Sequence, residues 1–123
     1  MITREEIFQY AEERYGSQPE YLWARTPRSC VLRHPVNQKW YAAVLEVSPK
    51  ALGLEGDGMM DILDIKCDPL LMGSLLLSPG FLPGYHMNKK HWITVLLDGT
   101  VPKAEIFGLL DMSYDLTKPK MKK

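Results

Sequence analysis

The chain reads as an α+β domain, an antiparallel sheet with helices packed on one face. Three observations lead there. Apolar residues recur at helical spacing near both ends, at Ile7, Phe8, Ala11 and Tyr15 and again at Ile106, Phe107, Leu110 and Tyr114. Between these segments lie several runs of strand composition, separated by Pro, Gly and Asn turns. Strands bracketed by helices, with no internal repeat and no interdomain linker, point to one sheet carrying its helices on one side.

Each element follows from local chemistry. Thr3 with Glu6 forms a capping box that opens the first helix, and Gly16 can close it. Residues 21–26 are expected to form a short strand. Ser29–His34 reads as a strand, and Pro35-Val36-Asn37-Gln38 as its turn. Lys39–Ser48 is the next strand. Strict alternation places Tyr41, Ala43, Leu45 and Val47 on one face and Trp40, Ala42 and Val44 on the other, so both faces are covered. Pro49–Leu52 reads as one helical turn ending at Gly53, and Met59–Lys66 as a strand. Asp68 as N-cap and Pro69 at the first helical position start a second helix, expected to run to about Leu77. Ser78–Gly84 is read as an extended Pro/Gly loop, Trp92–Leu97 as a strand turning at Asp98-Gly99, and Pro102 as the start of the last helix. The domain spans residues 1–117 on this reading, with 118–123 as a basic, flexible tail.

A chain of 123 residues supports one core without covalent staples. It has no apolar run of about 18 residues and no apolar core in its first residues, so neither a membrane span nor a secretory signal is expected. The cytoplasm is the expected location. Cys30 and Cys67 are far apart and lack CxxC spacing, which fits reduced thiols. Fifteen basic and fifteen acidic side chains cancel, which argues against strong non-specific affinity for nucleic acid. The charges alternate in blocks, net −3 over residues 1–20, +4 over 21–50, −4 over 51–88 and +3 over 89–123. A fold can turn such blocks into a basic face opposite an acidic one.

The densest chemistry lies in Gly84-Tyr85-His86-Met87-Asn88-Lys89-Lys90-His91-Trp92. Lys89 and Lys90 suit phosphate, His86, Asn88 and His91 suit hydrogen bonding, and Tyr85 and Trp92 suit stacking on rings. The competing reading is structural: Asn88 caps a turn, Trp92 enters the core, and the lysines are solvated. A second basic cluster is Arg25, Arg28 and Arg33, with His34 and Lys39 nearby.

Tyr85–Val95 with its HxNKxHW core, then Leu97-Asp98-Gly99, then Leu110-Asp111 with Ser113-Tyr114, resembles the C-terminal signature of the MmcQ/YjbR family of small bacterial proteins. The resemblance implies a CyaY-like (frataxin-like) fold and a double-wing DNA-binding role. Arg25, Arg28 and Arg33 would then lie on one wing, with the Tyr85–Trp92 segment on the other.

Other chemistries are poorly served. His86 and His91 are five residues apart, a spacing that suits neither a helical metal pair nor a zinc finger. Glu5, Glu6, Glu12 and Glu13 on the first helix invite an analogy with iron binding in frataxin-like folds, but the first two also suit the helix dipole. Asp57, Asp61, Asp64 and Asp68 lack the spacing of a calcium loop. No GxSxG, P-loop or HExxH motif is present, and no cofactor or enzymatic activity is expected. Cys30 and His34 would lie about 13 Å apart along a strand, too far for a nucleophile and its base. Cys67, just before a helix, is a candidate for a lowered pKa or for a buried structural thiol.

The sequence therefore favours a non-enzymatic nucleic-acid-binding module. The second expectation is a protein-interaction or small-anion-binding module using the same loop, with Phe81 and Leu82 helping to form a groove. A metal carrier ranks third.

Overall fold

The first helix begins where its capping box places it. In the computed structural model, which describes residues 2–119, the Thr3 amide donates to Glu6 Oε1 at 3.2 Å and the Glu6 amide to Thr3 Oγ1 at 3.3 Å. Helix α1 runs Arg4–Tyr15, and Gly16 ends it in the left-handed conformation at φ 70°. The strands are β1 (Cys30–Arg33), β2 (Trp40–Val47), β3 (Met60–Lys66), β4 (Phe81–Pro83) and β5 (Trp92–Leu96). They form one sheet in the order β1-β2-β3-β5-β4, antiparallel throughout. Helix α2 (Pro69–Leu76) starts at the Asp68 cap, whose carboxylate accepts from the Leu70 amide at 2.9 Å, and α3 (Lys103–Thr117) follows β5.

All three helices contribute to a core on one face of the sheet. Ile7 and Ala11 of α1, Met72 of α2 and Ile106 and Leu110 of α3 pack there with Val44, Leu63, Ile65 and Val95. This is the α+β class that the pattern predicts. The other face carries a smaller cluster of Val31, Ala43, Leu45 and Ile62, covered mainly by loops and by the single helical turn Pro49–Leu52. That loop-covered face holds the candidate site.

Strict alternation fails at one point in β2. Leu32 pairs with Ala42 but Arg33 pairs with Trp40, so Tyr41 is an extra residue in a β-bulge. The bulge puts Tyr41 beside Ala42 in the helix-side core and sends Trp40 to the loop face with Ala43 and Leu45. Two further expectations need correction. Residues 21–26 form no strand: only Glu20 bridges to Val31, and the turn closed by the Ser29 amide on Thr26 O then lifts the chain off the sheet edge. Ser78–Gly84 is not all loop, because Phe81–Pro83 pairs with β5 as an edge strand, a place that tolerates proline.

The polar motif of α3 ties elements together. Asp111 accepts from Tyr10 Oη at 2.9 Å, from Arg14 Nε at 2.9 Å and from Tyr15 Oη, joining α1 to α3. Ser113 Oγ accepts from the Lys66 amide at 2.8 Å and donates to Tyr41 O, fastening α3 across β2 and β3. His34 is buried, its Nε2 2.8 Å from Thr117 Oγ1. Among the described residues no helix is long and apolar enough to cross a membrane. The basic tail expected over residues 118–123 lies outside the described residues beyond Pro119.

Candidate functional site

A cleft of about 620 Å³ opens on the loop-covered face. Its aromatic lining comes from three distant places: Trp23 in the loop before β1, Trp40 at the start of β2, and Tyr85 with His86 after β4. Trp23 and Trp40 meet edge to face, with ring centroids 5.9 Å apart at 87°. His86, held at φ 59°, stacks on Tyr85 with centroids 4.0 Å apart. Leu45, Val47, Met59 and Met87 add apolar surface, and Thr26, Ser29 and Ser48 add hydroxyls. Glu46 borders the cleft between Leu45 and Val47, but its side chain lies on the opposite sheet face, beside its cross-strand partner Asp61.

The predicted site residues divide. Tyr85 and His86 line the cleft, whereas Asn88, Lys89, Lys90, His91 and Trp92 do not. Asn88 closes a turn, its carboxamide oxygen accepting from the Lys90 amide at 2.9 Å and its carbonyl from the His91 and Trp92 amides at 3.1 and 2.9 Å. Lys89 Nζ donates to Gly84 O at 3.0 Å, across the base of the same loop. Lys90 and His91 are exposed, and the His91 carbonyl accepts from the Cys67 amide at 2.7 Å. Trp92 is half-buried beneath Lys66, whose Nζ lies 6.0 Å from the ring centroid.

The arginines also separate. Arg28 Nε pairs with Glu46 at 2.7 Å and Arg33 Nε with Glu20 at 3.3 Å, so both meet carboxylates. Arg33 sits at the far end of β1, beside Ser17 and Gln38, away from the cleft. Arg25 is exposed, and its neighbour Thr26 lines the cleft. Among the described residues, Arg25 and Lys90 have no ion-pair or side-chain hydrogen-bond partner, unlike the other three cations proposed to bind phosphate.

A buried polar chain supports the cleft wall. The Tyr85 amide donates to Thr94 Oγ1 at 2.8 Å, and Thr94 donates to Asp64 Oδ1. Asp64 is fully buried, and among the described residues no hydrogen bond reaches its Oδ2. Burial pushes its carboxyl up to about 7, although the Thr94 hydroxyl, the Tyr85 amide and the Lys89 ammonium each pull it down. Gly84 adjoins this wall where backbones touch: a Cβ there would lie 2.8 Å from Trp92 Cβ and from the Trp92 carbonyl oxygen. Gly84→Ala is therefore expected to cost about 1–3 kcal/mol by overpacking, read as a lower urea midpoint with unchanged slope.

Several expectations are corrected here. Phe81 cannot line a groove, because it is buried in the helix-side core, and Leu82 packs on the loop face without reaching the cleft. Burial raises the Cys67 thiol and pushes Cys30 up to about 11, so neither is an activated nucleophile. Asp61 pairs with Arg4, Asp64 is buried and Asp68 caps α2, so these three carboxylates hold structural places. Trp23, Trp40 and Asp64 were not legible as one site; the sequence signal was the pair of aromatics, Tyr21 and Trp23, just before the Thr26-Pro27 turn.

These features define a small α+β domain with helices on one sheet face and an aromatic cleft on the other. The comparisons agree on its kinship: a family model for YjbR matches residues 13–116, and the chain belongs to the YjbR (MmcQ/YjbR) family. The chain is 46% identical over 118 residues to the uncharacterised protein YyaQ of Bacillus subtilis, covering 96% of this chain and all of that one. It is similar to a crystal structure from Pseudomonas syringae, at 41% identity and a TM-score of 0.91 over 95% of this chain and all of that chain. A crystal structure from Deinococcus radiodurans with a DUF419 domain matches at 30% identity and a TM-score of 0.75, covering all of this chain and 84% of that one.

Proposed function

We propose that this chain is a non-enzymatic binding module that holds its ligand by a flat or apolar group in the Trp23–Trp40–Tyr85 cleft. One observation carries the reading: three aromatic side chains from segments far apart in sequence converge on one open cleft of about 620 Å³, a size typical of small-ligand sites. The remainder of the Tyr85–Trp92 segment serves this wall, since Asn88 and Lys89 close the loop that presents Tyr85.

Indole is a suitable neutral probe, and the three tryptophans contain their own control. In NMR titrations the Trp23 and Trp40 indole N–H signals are expected to shift with indole while that of Trp92 stays put. Trp40→Ala should weaken the response about tenfold, the scale of losing one buried aromatic contact. No shift, or equal shifts at all three tryptophans, would reject the cleft as the binding site.

The double-wing nucleic-acid reading keeps one supporting observation: Thr26, in the Arg25–Arg28 turn, lines the same cleft as Tyr85 and His86. A base stacked in the cleft would then place its phosphate near Arg25. Against it, Arg28 and Arg33 are paired and Lys89 is tied to Gly84. Fluorescence anisotropy with single- and double-stranded DNA decides the matter. Binding that falls steeply with salt and is lost in Lys89→Ala/Lys90→Ala carries this reading, and no binding at low salt removes it. The metal-carrier reading, which came with the CyaY-like resemblance, finds little support: among the described residues no group of three His, Cys, Asp or Glu side chains could hold a metal ion.

A further inference from the structure

We propose that the outer face of α2 is a homodimer interface, on which a second copy of this chain packs antiparallel about a two-fold axis between Gly73 and Ser74. The helix is apolar on both sides. Met72 is buried in the helix-side core, and Leu75 and Leu76 pack against that core. On the opposite side Leu70, Gly73, Ser74 and Leu77 are exposed, Leu70 and Leu77 at 89% each. Leu71 adds a half-exposed side chain beside them. Residues 69–78 contain no charged side chain. A helix with apolar residues all round is one that a second surface covers.

The occupant follows from the order of the stripe. Positions 70, 73, 74 and 77 have the spacing i, i+3, i+4, i+7, which makes one row along a helix. Leu77 belongs to that row because it caps α2 in the helical conformation. The row reads the same in both directions: large, small, small, large. A two-fold axis through its centre sets Leu70 of one copy against Leu77 of the other, and Leu77 against Leu70. That reciprocity is what an isologous interface requires. The small central pair lets the two helix axes approach closely. Gly73 has no such reason within one copy. Its φ is not positive, and an added Cβ would meet nothing within 4 Å among the described residues. Glycine weakens a helix interior, so a close crossing supplies the reason that the monomer lacks.

Charge selects a second copy over other occupants. A patch without charge meets its own copy without repulsion, whereas an acidic or basic partner finds no counter-charge on it. A helix that lies in a lipid surface carries Lys or Arg beside its apolar face, and α2 carries neither. One short helix and its flanking turns make an interface at the low end of the size range, below about 1,200 Å² in total. The dimer is therefore weak, with an expected Kd of about 10–100 µM. Met72 places α2 on the helix side of the sheet, and the cleft opens on the other side. The dimer leaves both clefts open, and the inference stands whether or not the cleft binds a ligand.

Analytical ultracentrifugation of the whole chain from about 1 µM to 1 mM, a range that brackets this Kd, tests the inference. The average mass is expected to rise with concentration from one copy toward two. Leu70→Glu/Leu77→Glu should stay monomeric throughout with an unchanged far-UV circular dichroism spectrum, since both positions face solvent in one copy. Leu70→Glu/Leu77→Lys should dimerise again, because the axis sets each new carboxylate against the other copy's new ammonium. That rescue should fade as salt rises. A parent chain that stays monomeric over the whole range overturns the inference, and so does a double-glutamate variant that dimerises like the parent. A charge-swap variant that stays monomeric overturns the antiparallel pairing and its two-fold axis. A monomeric parent that sediments with phosphatidylglycerol vesicles overturns the second copy in favour of a lipid surface.

Discussion

Arg4→Ala is expected to lower the unfolding free energy by about 2–3 kcal/mol, the scale for losing charge-assisted hydrogen bonds and leaving a part-buried carboxylate unpaired. Arg4 is 4% exposed although it stands at the first position of α1. Its guanidinium grips Asp61 with both Nε and Nη2, at 2.8 and 2.6 Å, and Nη1 donates to the carbonyl of Arg28. The Asp61 hydrogen bond raises the guanidinium's affinity for its proton, and burial opposes this. One side chain thus joins α1, the start of β3 and the Arg25–Ser29 turn. Removing it leaves Asp61 facing a pocket without its charge partner. Arg4→Lys should recover only part of the loss, because an ammonium cannot make the bidentate fork. Urea unfolding of Arg4→Ala, Asp61→Asn and the double variant measures the coupling. A cycle that closes with no coupling energy would show that the pair adds nothing beyond its separate side chains. The cleft should suffer as well, since Thr26 and Ser29 of the braced turn line it.

Asp64→Asn is expected to flatten the pH dependence of stability between about pH 4 and 7. The folded carboxyl is pushed up from 3.8 to about 7 by burial. Well below pH 3.8 the group is neutral whether the chain is folded or not, and it exerts no pH-dependent effect. As pH rises toward 7, the unfolded chain releases this proton and the folded chain retains it, so stability falls. Above 7 both states are ionised and the deficit stays constant, on the order of 4 kcal/mol in full. The direction is opposite to that of a salt-bridged aspartate. The asparagine variant lacks the slope but places an amide where Oδ2 has no protein partner, so it should be less stable than the parent at pH 4 by about 1–3 kcal/mol. Urea midpoints for both proteins across pH 4–8 check this. Equal slopes in the two proteins would show that Asp64 does not titrate in that window. Because the Asp64–Thr94–Tyr85 chain carries the cleft wall, indole binding is expected to follow the same pH range.

Much of the fold was legible because its signals are local. The Thr3–Glu6 box and the Asp68-Pro69 start each depend on atoms within one helical turn, and both stand as read. The apolar runs of β3 and β5 mark them as strands from composition, although the burial of Asp64 in β3 is decided by register. The bulge at Tyr41 was not legible, because it exists only through the pairing of Arg33 with Trp40 across two strands. Nor was β4, whose three residues are a strand only because β5 lies beside them.

The candidate site divides along the same line. Asn88 could be read as a turn-former or as a ligand contact, and its hydrogen bonds fit the first; Lys89, read as solvated or as a phosphate contact, instead bonds to Gly84 O within the loop. Family membership, helix starts and the α+β class were determined by residue order alone, since each rests on near-neighbour chemistry or on periodicity. The tertiary structure decided that Arg28 and Arg33 meet carboxylates, that Asp64 lies beneath Tyr85, and that Trp23 and Trp40 stand together in one cleft. A side chain's partner across a sheet depends on register, bulges and loop paths, all set by contacts between residues far apart in the chain.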